Sequence, residues 1–315
     1  MRSSALAAIK IAGRVTLTDR GRVAAQQYGL TQGGAMDEKS YLWANYLLAN
    51  DANAAAIECA VSESVWLIKA DSQIAVCGAE RRVLLNQTLL PMWHSFEVKA
   101  GDVLSIGWAS SGVYSYIAIK GGFAADAIFS SKACVVREGL GGHKQGLPIT
   151  TGDTLDFYNK SQLLESFNKA VPFRYRHDLL AEEITLRFLP CYQFEAFSEE
   201  ARTQFLAQRY SLTSACDAMG FKLQGAPIAV PSNSLISEAI ALGSIQITHQ
   251  GQPIVLMRDR QTIGGYPKMG TVLSVDIEKL AQCVAGKRIR FVAVDINTAY
   301  QARLLREQFF KPMNE

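Results

Sequence analysis

The segment at residues 259–270, DRQTIGGYPKMG, concentrates polar groups that could bind a small molecule. It follows an apolar run at residues 254–257, which is typical of a buried strand. Two adjacent glycines let a ligand approach the backbone, and Lys268 offers a positive charge to an anion or a carbonyl oxygen. A solvated loop is the alternative interpretation, but a plain turn does not need this set of groups. We interpret the segment as a binding site made of Gln261, Thr262, Gly264, Gly265, Tyr266 and Lys268.

A second candidate site is the sequence GGAMD, in which Gly33 and Gly34 precede Asp37. The pattern predicts a turn followed by a helix with Asp37 as its N-cap. Free N–H groups at such a helix start could hold a carboxylate or a phosphate, although an ordinary turn and cap is the simpler interpretation. The segment is neither a P-loop nor a dinucleotide fingerprint, so the chain shows no standard ATP site.

Two glutamates, Glu58 and Glu238, lie among apolar residues in predicted strands. A carboxylate in such surroundings must be paired or hydrogen-bonded, or its pKa rises. We expect a structural role common to both, with a catalytic role for one of them as the alternative. No Ser/His/Asp spacing typical of a catalytic triad stands out. A metal site is not predicted either, because the four histidines show neither an HxH nor an HExxH pattern. They are His94, His143, His177 and His249.

Composition narrows the class of protein. The chain has 315 residues, 49% of them hydrophobic, and a net charge of only +3, which gives no field to hold nucleic acid or an anionic membrane. The six cysteines are scattered without a CxxC pair, so we expect reduced thiols. Lys10 and Arg14 interrupt the N-terminal apolar residues, and no stretch approaches the roughly 18 apolar residues of a membrane span. A cytoplasmic protein is predicted.

The chain resembles itself at an offset of 180 residues. The passage AMDEKSYLWA from Ala35 matches ACDAMGFKLQ from Ala215, and the same offset places Glu58 on Glu238. A period this long indicates two copies of a domain. Opposite RDRQTIGGYP the first copy has GAERRVLLNQ, an ordinary strand sequence, so the polar groups belong to the second copy alone.

Short segments of alternating polarity, broken by Gly, Asp or Asn, dominate both copies and predict mainly β structure with a few helices. Helices are expected after Asp37, after Ser198 and at the end of the chain. The prediction is two tandem β-barrels. The first domain, residues 1–165, carries an inserted Gly-rich loop, and the second, residues 166–315, carries DRQTIGGYPK.

With these motifs identified, the chain resembles the family that contains the C subunit of 5-oxoprolinase, KipA and allophanate hydrolase subunit 2, often called biotin-dependent carboxyltransferases. The resemblance covers nearly the whole chain. The resemblance implies that this chain, like other members of the family, forms two tandem cyclophilin-like β-barrels. It rests on GGAMD, GGF, MGFKLQG, SEAIALGSIQI and above all GQPIVLMRDRQTIGGYPKMGTV.

The resemblance implies one component of an ATP-dependent hydrolase that opens the cyclic amide 5-oxoproline to glutamate, together with the A and B subunits of 5-oxoprolinase. ATP would be used by the complex. In that interpretation Lys268, Glu238 and Asp217 are the catalytic residues. The residues of the 259–270 segment would hold the substrate's carboxylate and lactam carbonyl.

Two alternatives come from the same family. One is a carboxyltransferase module for a urea-like substrate, with biotin carried by another protein because the chain has no biotinyl-lysine MKM motif. The other is a KipA-like regulator that binds a KipI-like partner without turnover. The sequence departs from the family pattern at Ala218, where an arginine is common, and at Ser130–Cys134, which replaces Gly-Ser-Arg-Ser-Thr. An alanine cannot rebuild a bidentate anion clamp.

Overall fold

The computed structural model describes residues 2–158, 169–231 and 236–310. The described residues fall into two compact units. One lies within Met1–Val23, Gly33–Leu179 and Phe310–Glu315, and the other within Ala24–Gln32 and Leu180–Phe309. The domain boundary predicted at residue 165 lies outside the described residues.

The first unit is built around one seven-stranded antiparallel sheet. Its strands occur in the order β4-β3-β6-β2-β1-β7, and β5 pairs with β3. The long strands curl because β-bulges interrupt their register, for example between Gly78 and Glu80 of β3. The elements are β1 (Arg2–Thr18), α1 (Glu38–Tyr46), β2 (Ala56–Ile68), β3 (Ser72–Leu85), β4 (Thr88–Leu90), β5 (Ser95–Val98), β6 (Val103–Ile119) and β7 (Thr154–Tyr158).

The core of the first unit follows from the alternation seen in the sequence. In β2, residues 62–68 alternate between buried and less buried positions, and Trp66 is fully buried. Trp66 packs in one apolar cluster with residues from the other strands of the sheet. Its indole Nε1 donates to Ser64 Oγ at 2.8 Å, which satisfies the buried N–H group.

The second unit contains a closed seven-stranded barrel in the order β10-β13-β12-β15-β8-β16-β9. The pairing is antiparallel except between β8 and β16, which run parallel. A separate two-stranded sheet joins β11 to β14. The elements are β8 (Glu183–Pro190), α2 (Glu199–Ala207), β9 (Tyr210–Cys216), β10 (Gly220–Gln224), β11 (Glu238–Ala239), β12 (Ser244–Ile247), β13 (Pro253–Leu256), β14 (Ile263–Gly264), β15 (Lys268–Val272), α3 (Ser274–Ala281), β16 (Arg288–Ala293) and α4 (Ile296–Phe310).

Aromatic rings fill one part of this barrel. Phe205 of α2 stacks on Phe291 of β16 with ring centroids 4.8 Å apart, and Phe188 and Tyr210 meet the same ring edge-on. All four side chains are at most 1% exposed. Their contacts attach α2 to the barrel, because each buried ring removes a large apolar area from water.

The predicted helix starts are confirmed. Asp37 caps α1, with its Oδ1 accepting from Ser40 N at 3.1 Å, and Ser198 caps α2, with its Oγ accepting from Ala201 N at 3.2 Å. All six cysteines are free thiols, as expected, and burial raises the pKa of Cys59 to about 11. No helix in the described ranges has the length and apolar character needed to cross a bilayer.

The predicted fold class, mainly β with a few helices in two tandem units, is confirmed, with two differences in detail. Within the described residues the sheet of the first unit does not close, because β4 and β7 stand at the two ends of its strand order and do not pair with each other. In addition, Asp37 and Asp217 match in sequence but not in structure. Asp37 caps a helix, whereas Asp217 lies in a turn before β10 and accepts from Met219 N and Gly220 N at 2.8 and 3.2 Å.

One buried ion cluster stabilises the second unit. Asp276 of α3 is fully buried and accepts from Nε and Nη2 of Arg187 at 2.8 and 2.9 Å and from Lys279 Nζ at 2.7 Å. Burial raises the pKa of Asp276, but the hydrogen bonds from Arg187 and Lys279 outweigh it, so the pKa lies below its ordinary value. A depressed pKa stabilises the fold above the unfolded pKa, and this contribution is lost as the pH falls.

We expect Asp276→Asn to lower the free energy of unfolding by on the order of 3 kcal/mol, because it removes a fully buried carboxylate and leaves a partly buried arginine without its charged partner. Urea denaturation at neutral pH measures this loss. The difference from the unsubstituted chain should shrink below about pH 4, where the carboxyl group of the unfolded chain takes up a proton. Glu307→Gln, which breaks the exposed Arg303–Glu307 pair, serves as the control and should cost less than about 0.5 kcal/mol. Equal losses for the two variants would contradict the role given to Asp276.

Candidate functional site

The segment 259–270 begins at a buried anchor. Asp259 and Arg260 are 8% and 2% exposed, and Asp259 N donates to the Ala218 carbonyl at 2.7 Å. The Arg260 guanidinium donates from Nε to Ile240 O and from Nη1 to Met257 O, both at 3.3 Å. Burial, with a smaller contribution from Arg258, lowers the pKa of Arg260 to about 10. The first two residues of the motif therefore fix the loop to the barrel.

The next residues form the short sheet between β11 and β14. Glu238 pairs with Gly264, Ala239 pairs with Ile263, and Ile240 N donates to Thr262 O at 3.0 Å. Gly264 has no room for a side chain: a Cβ there would overlap Ile240 Cδ1 and lie 2.8 Å from Gln246 Nε2. At Gly265 the nearest atom to an added Cβ is Ser237 Oγ at 3.1 Å. The first glycine is thus closely packed against two side-chain ends, and the second is less constrained.

Lys268 and Glu238, both predicted as site residues, form an ion pair. Glu238 also accepts from Tyr192 OH, and its Oε1 accepts from Gln193 Nε2 at 2.7 Å. Gln193 Oε1 in turn accepts from Lys268 N at 2.8 Å. Partial burial raises the pKa of Glu238, but the hydrogen bonds from Lys268 and Tyr192 outweigh it, so the pKa is lower than usual. The carboxylate is thus held ionised by a network rather than poised to take up a proton.

A cavity of about 390 Å³ lies beside this network in the second unit. It contains three of the predicted residues, Asp217, Gln261 and Tyr266, whereas Lys268 and Glu238 are not in its lining. The Tyr266 ring meets His249 edge-on, with centroids 5.2 Å apart. The cavity volume falls in the range of small-molecule binding sites. The lining also includes Ser214, Ala215, Cys216, Met219, Gly220, Lys222, Gln246, Ile254 and Leu256.

The sequence reasoning missed Gln246. Its side chain is 1% exposed and lines the cavity, and its Nε2 has no hydrogen-bond partner in the described part of the chain. It lies on β12 opposite Lys268 of β15. A buried amide without a partner is costly, so an inward polar residue at this position is a candidate contact for a ligand. The alternation in SIQI carries no signal for this, because it predicts that the two polar residues are exposed, whereas all four residues of β12 are buried.

The other predicted site residues, Gly33, Gly34 and Asp37, belong to the first unit. Their turn offers few free donors, because Ala35 N, Met36 N and Asp37 N bond to Asp19 O, Glu58 Oε2 and Tyr116 OH at 2.8–2.9 Å. The turn therefore does not fit a nucleotide phosphate. No group of three or more His, Cys, Asp or Glu side chains that could hold a metal ion occurs in residues 2–158, 169–231 and 236–310.

Comparison with known proteins gives the class of the chain. Residues 28–293 match the carboxyltransferase domain family, subdomain A and B, and the chain belongs to this family. It is 31% identical to the C subunit of 5-oxoprolinase from Haemophilus influenzae, over 95% of this chain and 94% of the relative, and 30% identical to that of Escherichia coli, over 95% and 94%.

The fold is also that of a larger enzyme. The crystal structure of Kluyveromyces lactis urea carboxylase superposes with a TM-score of 0.91 at 22% identity, over 99% of this chain. The chain spans 29% of that structure, so it corresponds to one part of the carboxylase. At this identity the likeness concerns the fold alone.

We expect Gly264→Ala to lower the free energy of unfolding by about 1 kcal/mol, because the ends of the Ile240 and Gln246 side chains must shift to admit the added methyl group. Gly265→Ala is the matched control one residue along and should cost less than about 0.5 kcal/mol. Urea denaturation of the two variants compares these effects. If both variants were as stable as the unsubstituted chain, the packing described for the glycine pair would be wrong.

Proposed function

We propose that the chain is one component of an ATP-dependent 5-oxoprolinase, which hydrolyses 5-oxoproline to glutamate in the cytoplasm together with A and B subunits. The match to the C subunit of 5-oxoprolinase over nearly the full length of both chains carries this proposal. In this proposal ATP is used by the complex.

The chemistry of the cavity supports a cyclic amide as the substrate. A lactam presents its N–H and C=O groups on the same side of the ring, and a primary carboxamide presents a complementary C=O and N–H pair. Gln261 lines the cavity, and its carboxamide has no partner within the described residues, so it can form two parallel hydrogen bonds with a lactam. Gln246 adds a second carboxamide at the buried end.

The substrate must also find positive charge at the site, because 5-oxoproline carries a carboxylate. Lys222 lines the same cavity, and Lys268 lies behind it in the pair with Glu238. In this proposal Lys222 attracts the carboxylate from the lining, and the charge of Lys268, behind the lining, stabilises negative charge that develops on the lactam oxygen. Asp217 and Glu238 orient the surrounding backbone and the Lys268 ammonium group.

The family description favours a second candidate, a carboxyltransferase acting on a urea-like substrate. A urea group presents the same paired N–H and C=O edge, so the carboxamides of the cavity fit it equally well. Biotin would then arrive on another protein. The two candidates separate in a reconstituted system with the A and B subunits. Glutamate release from 5-oxoproline that requires ATP and this chain supports the hydrolase. Turnover that requires an added biotin carrier protein supports the carboxyltransferase, and a stable complex without turnover of either substrate supports a regulator.

We expect Lys268→Ala to reduce ATP-dependent glutamate release by the complex at least about 100-fold, because one preorganised charge is lost from the site. The measurement is the initial rate of glutamate formation at saturating 5-oxoproline. Lys287→Ala is the matched control, because the Lys287 ammonium also donates to a backbone carbonyl, that of Ala181, but belongs neither to the cavity lining nor to the Lys268–Glu238 pair.

The Lys287 variant should keep full activity. Circular dichroism and co-purification with the partners separate a loss of catalysis from a loss of folding or assembly. Full activity of Lys268→Ala in an intact complex would remove Lys268 from the mechanism.

A further inference from the structure

The first unit has a larger cavity, of about 720 Å³, that the proposed function does not use. Residues of β3, the following β4 segment and the 3₁₀ helix at Phe173–Tyr175 contribute to its walls, with Ser110 of β6. We call it the first-unit cavity. Its lining comprises Gly78, Glu80, Arg81, Arg82, Leu89, Leu90, Pro91, Met92, Trp93, His94, Ser110, Phe173, Arg176, His177 and Leu179.

A histidine–aspartate pair borders this cavity. His177 Nε2 donates to Asp37 Oδ1 at 3.1 Å, and the two side chains are 7% and 0% exposed. The same carboxylate accepts from Ser40 N at 3.1 Å and from Ser40 Oγ at 2.5 Å. Asp37 thereby fixes the orientation of the imidazole ring. The second ring nitrogen, Nδ1, has no hydrogen-bond partner in the described part of the chain, although His177 lines the cavity.

Cationic side chains dominate the charged lining. Arg176 donates from Nε and Nη2 to Val171 O at 3.2 and 2.9 Å, so its Nη1 remains available, and its guanidinium lies 5.8 Å from the centre of the Trp93 ring. Arg82 is exposed at the rim. Arg81 adds a buried positive charge, but its N–H groups are occupied by protein acceptors. Glu80 is the one acidic residue in the lining.

The rest of the wall is apolar. Leu90, Met92, Trp93 and Phe173 surround the charged groups, and Phe173 is 80% exposed at the opening. His94 does not compete for a ligand through Nδ1, because that atom contacts Met92 O at 2.9 Å. An apolar wall with a few convergent polar groups is the usual composition of a small-molecule site.

We propose that the first-unit cavity binds a small carboxylate that carries an apolar body. The Arg82 and Arg176 guanidinium groups face the carboxylate, the His177 ring lies beside it in the lining, and the apolar side chains enclose the body. The site is distinct from the cavity beside Tyr266, and the proposal does not depend on 5-oxoprolinase activity.

The test uses the full chain and benzoate as the probe, with benzyl alcohol as the neutral molecule of similar shape. Because the chain has four histidines, their ring Cε1–H signals can be resolved by ¹³C-edited NMR, and His177→Gln assigns the signal of interest. We expect benzoate to shift the His177 signal saturably and to leave His143 and His249 unchanged. Benzyl alcohol should bind at least about tenfold more weakly, since it lacks the charge.

Arg176→Gln and Arg82→Gln should each weaken benzoate binding by about tenfold, as expected for a lost charge-assisted hydrogen bond. Arg174→Gln is the matched control, because Arg174 lies over the Tyr175 ring and outside the cavity lining. Arg82 is exposed, so its variant keeps the test valid if Arg176→Gln does not fold. No benzoate-dependent shift of His177, equal responses to benzoate and benzyl alcohol, or equal effects of Arg82→Gln and Arg174→Gln would overturn the proposal.

Discussion

The carboxylate of Glu238 is the interaction on which the candidate site of the second unit depends. It joins three segments that are far apart in the sequence: β11, which carries it, β15, which supplies Lys268, and the 3₁₀ helix at Tyr192–Ala196. Glu238 also pairs with Gly264 through the backbone. A half-buried carboxylate at this point requires hydrogen-bond donors. Its ion pair with Lys268 and the backbone pairing of Glu238 with Gly264 hold both ends of the loop that lies over the cavity.

The first unit has a related arrangement. Glu58, which matches Glu238 at the offset of 180, is 6% exposed and accepts from Tyr116 OH and Met36 N at 2.8 and 2.9 Å. Both glutamates therefore bind a tyrosine hydroxyl and connect a strand to a distant loop, which agrees with the structural role expected for the pair. The tyrosines do not follow the offset, so the common feature is the need of the carboxylate for donors rather than an equivalent partner position.

Local signals made much of the fold predictable. The caps at Asp37 and Ser198 and the alternation around Trp66 involve residues a few positions apart, and propensity and periodicity detect such features. The loop 259–270 was recognisable because its polar groups stand next to glycines in one short segment.

The contacts that complete the sites were not predictable in this way. Tyr192 lies 46 residues from Glu238, and His177 lies 140 residues from Asp37. These pairs form only when distant segments of the chain meet. The closure of the barrel in the second unit depends on the same kind of long-range pairing, including the parallel β8–β16 pair. Single-sequence patterns carry no information about which distant side chain satisfies a given carboxylate. Gln246 was overlooked for a different reason, because the alternation in SIQI places it on the polar face, which is normally exposed, whereas both faces of β12 are buried.

The most direct test of the central claim, that Glu238 orders the loop at the candidate site, is hydrogen–deuterium exchange of Glu238→Gln compared with the unsubstituted chain. We expect the amides of residues 262–266 to exchange at least about tenfold faster in the variant, because the ion pair with Lys268 is lost, while amides of α3 keep their protection. Unchanged exchange in residues 262–266 of a folded variant would contradict this claim, since the loop would then be ordered without the carboxylate.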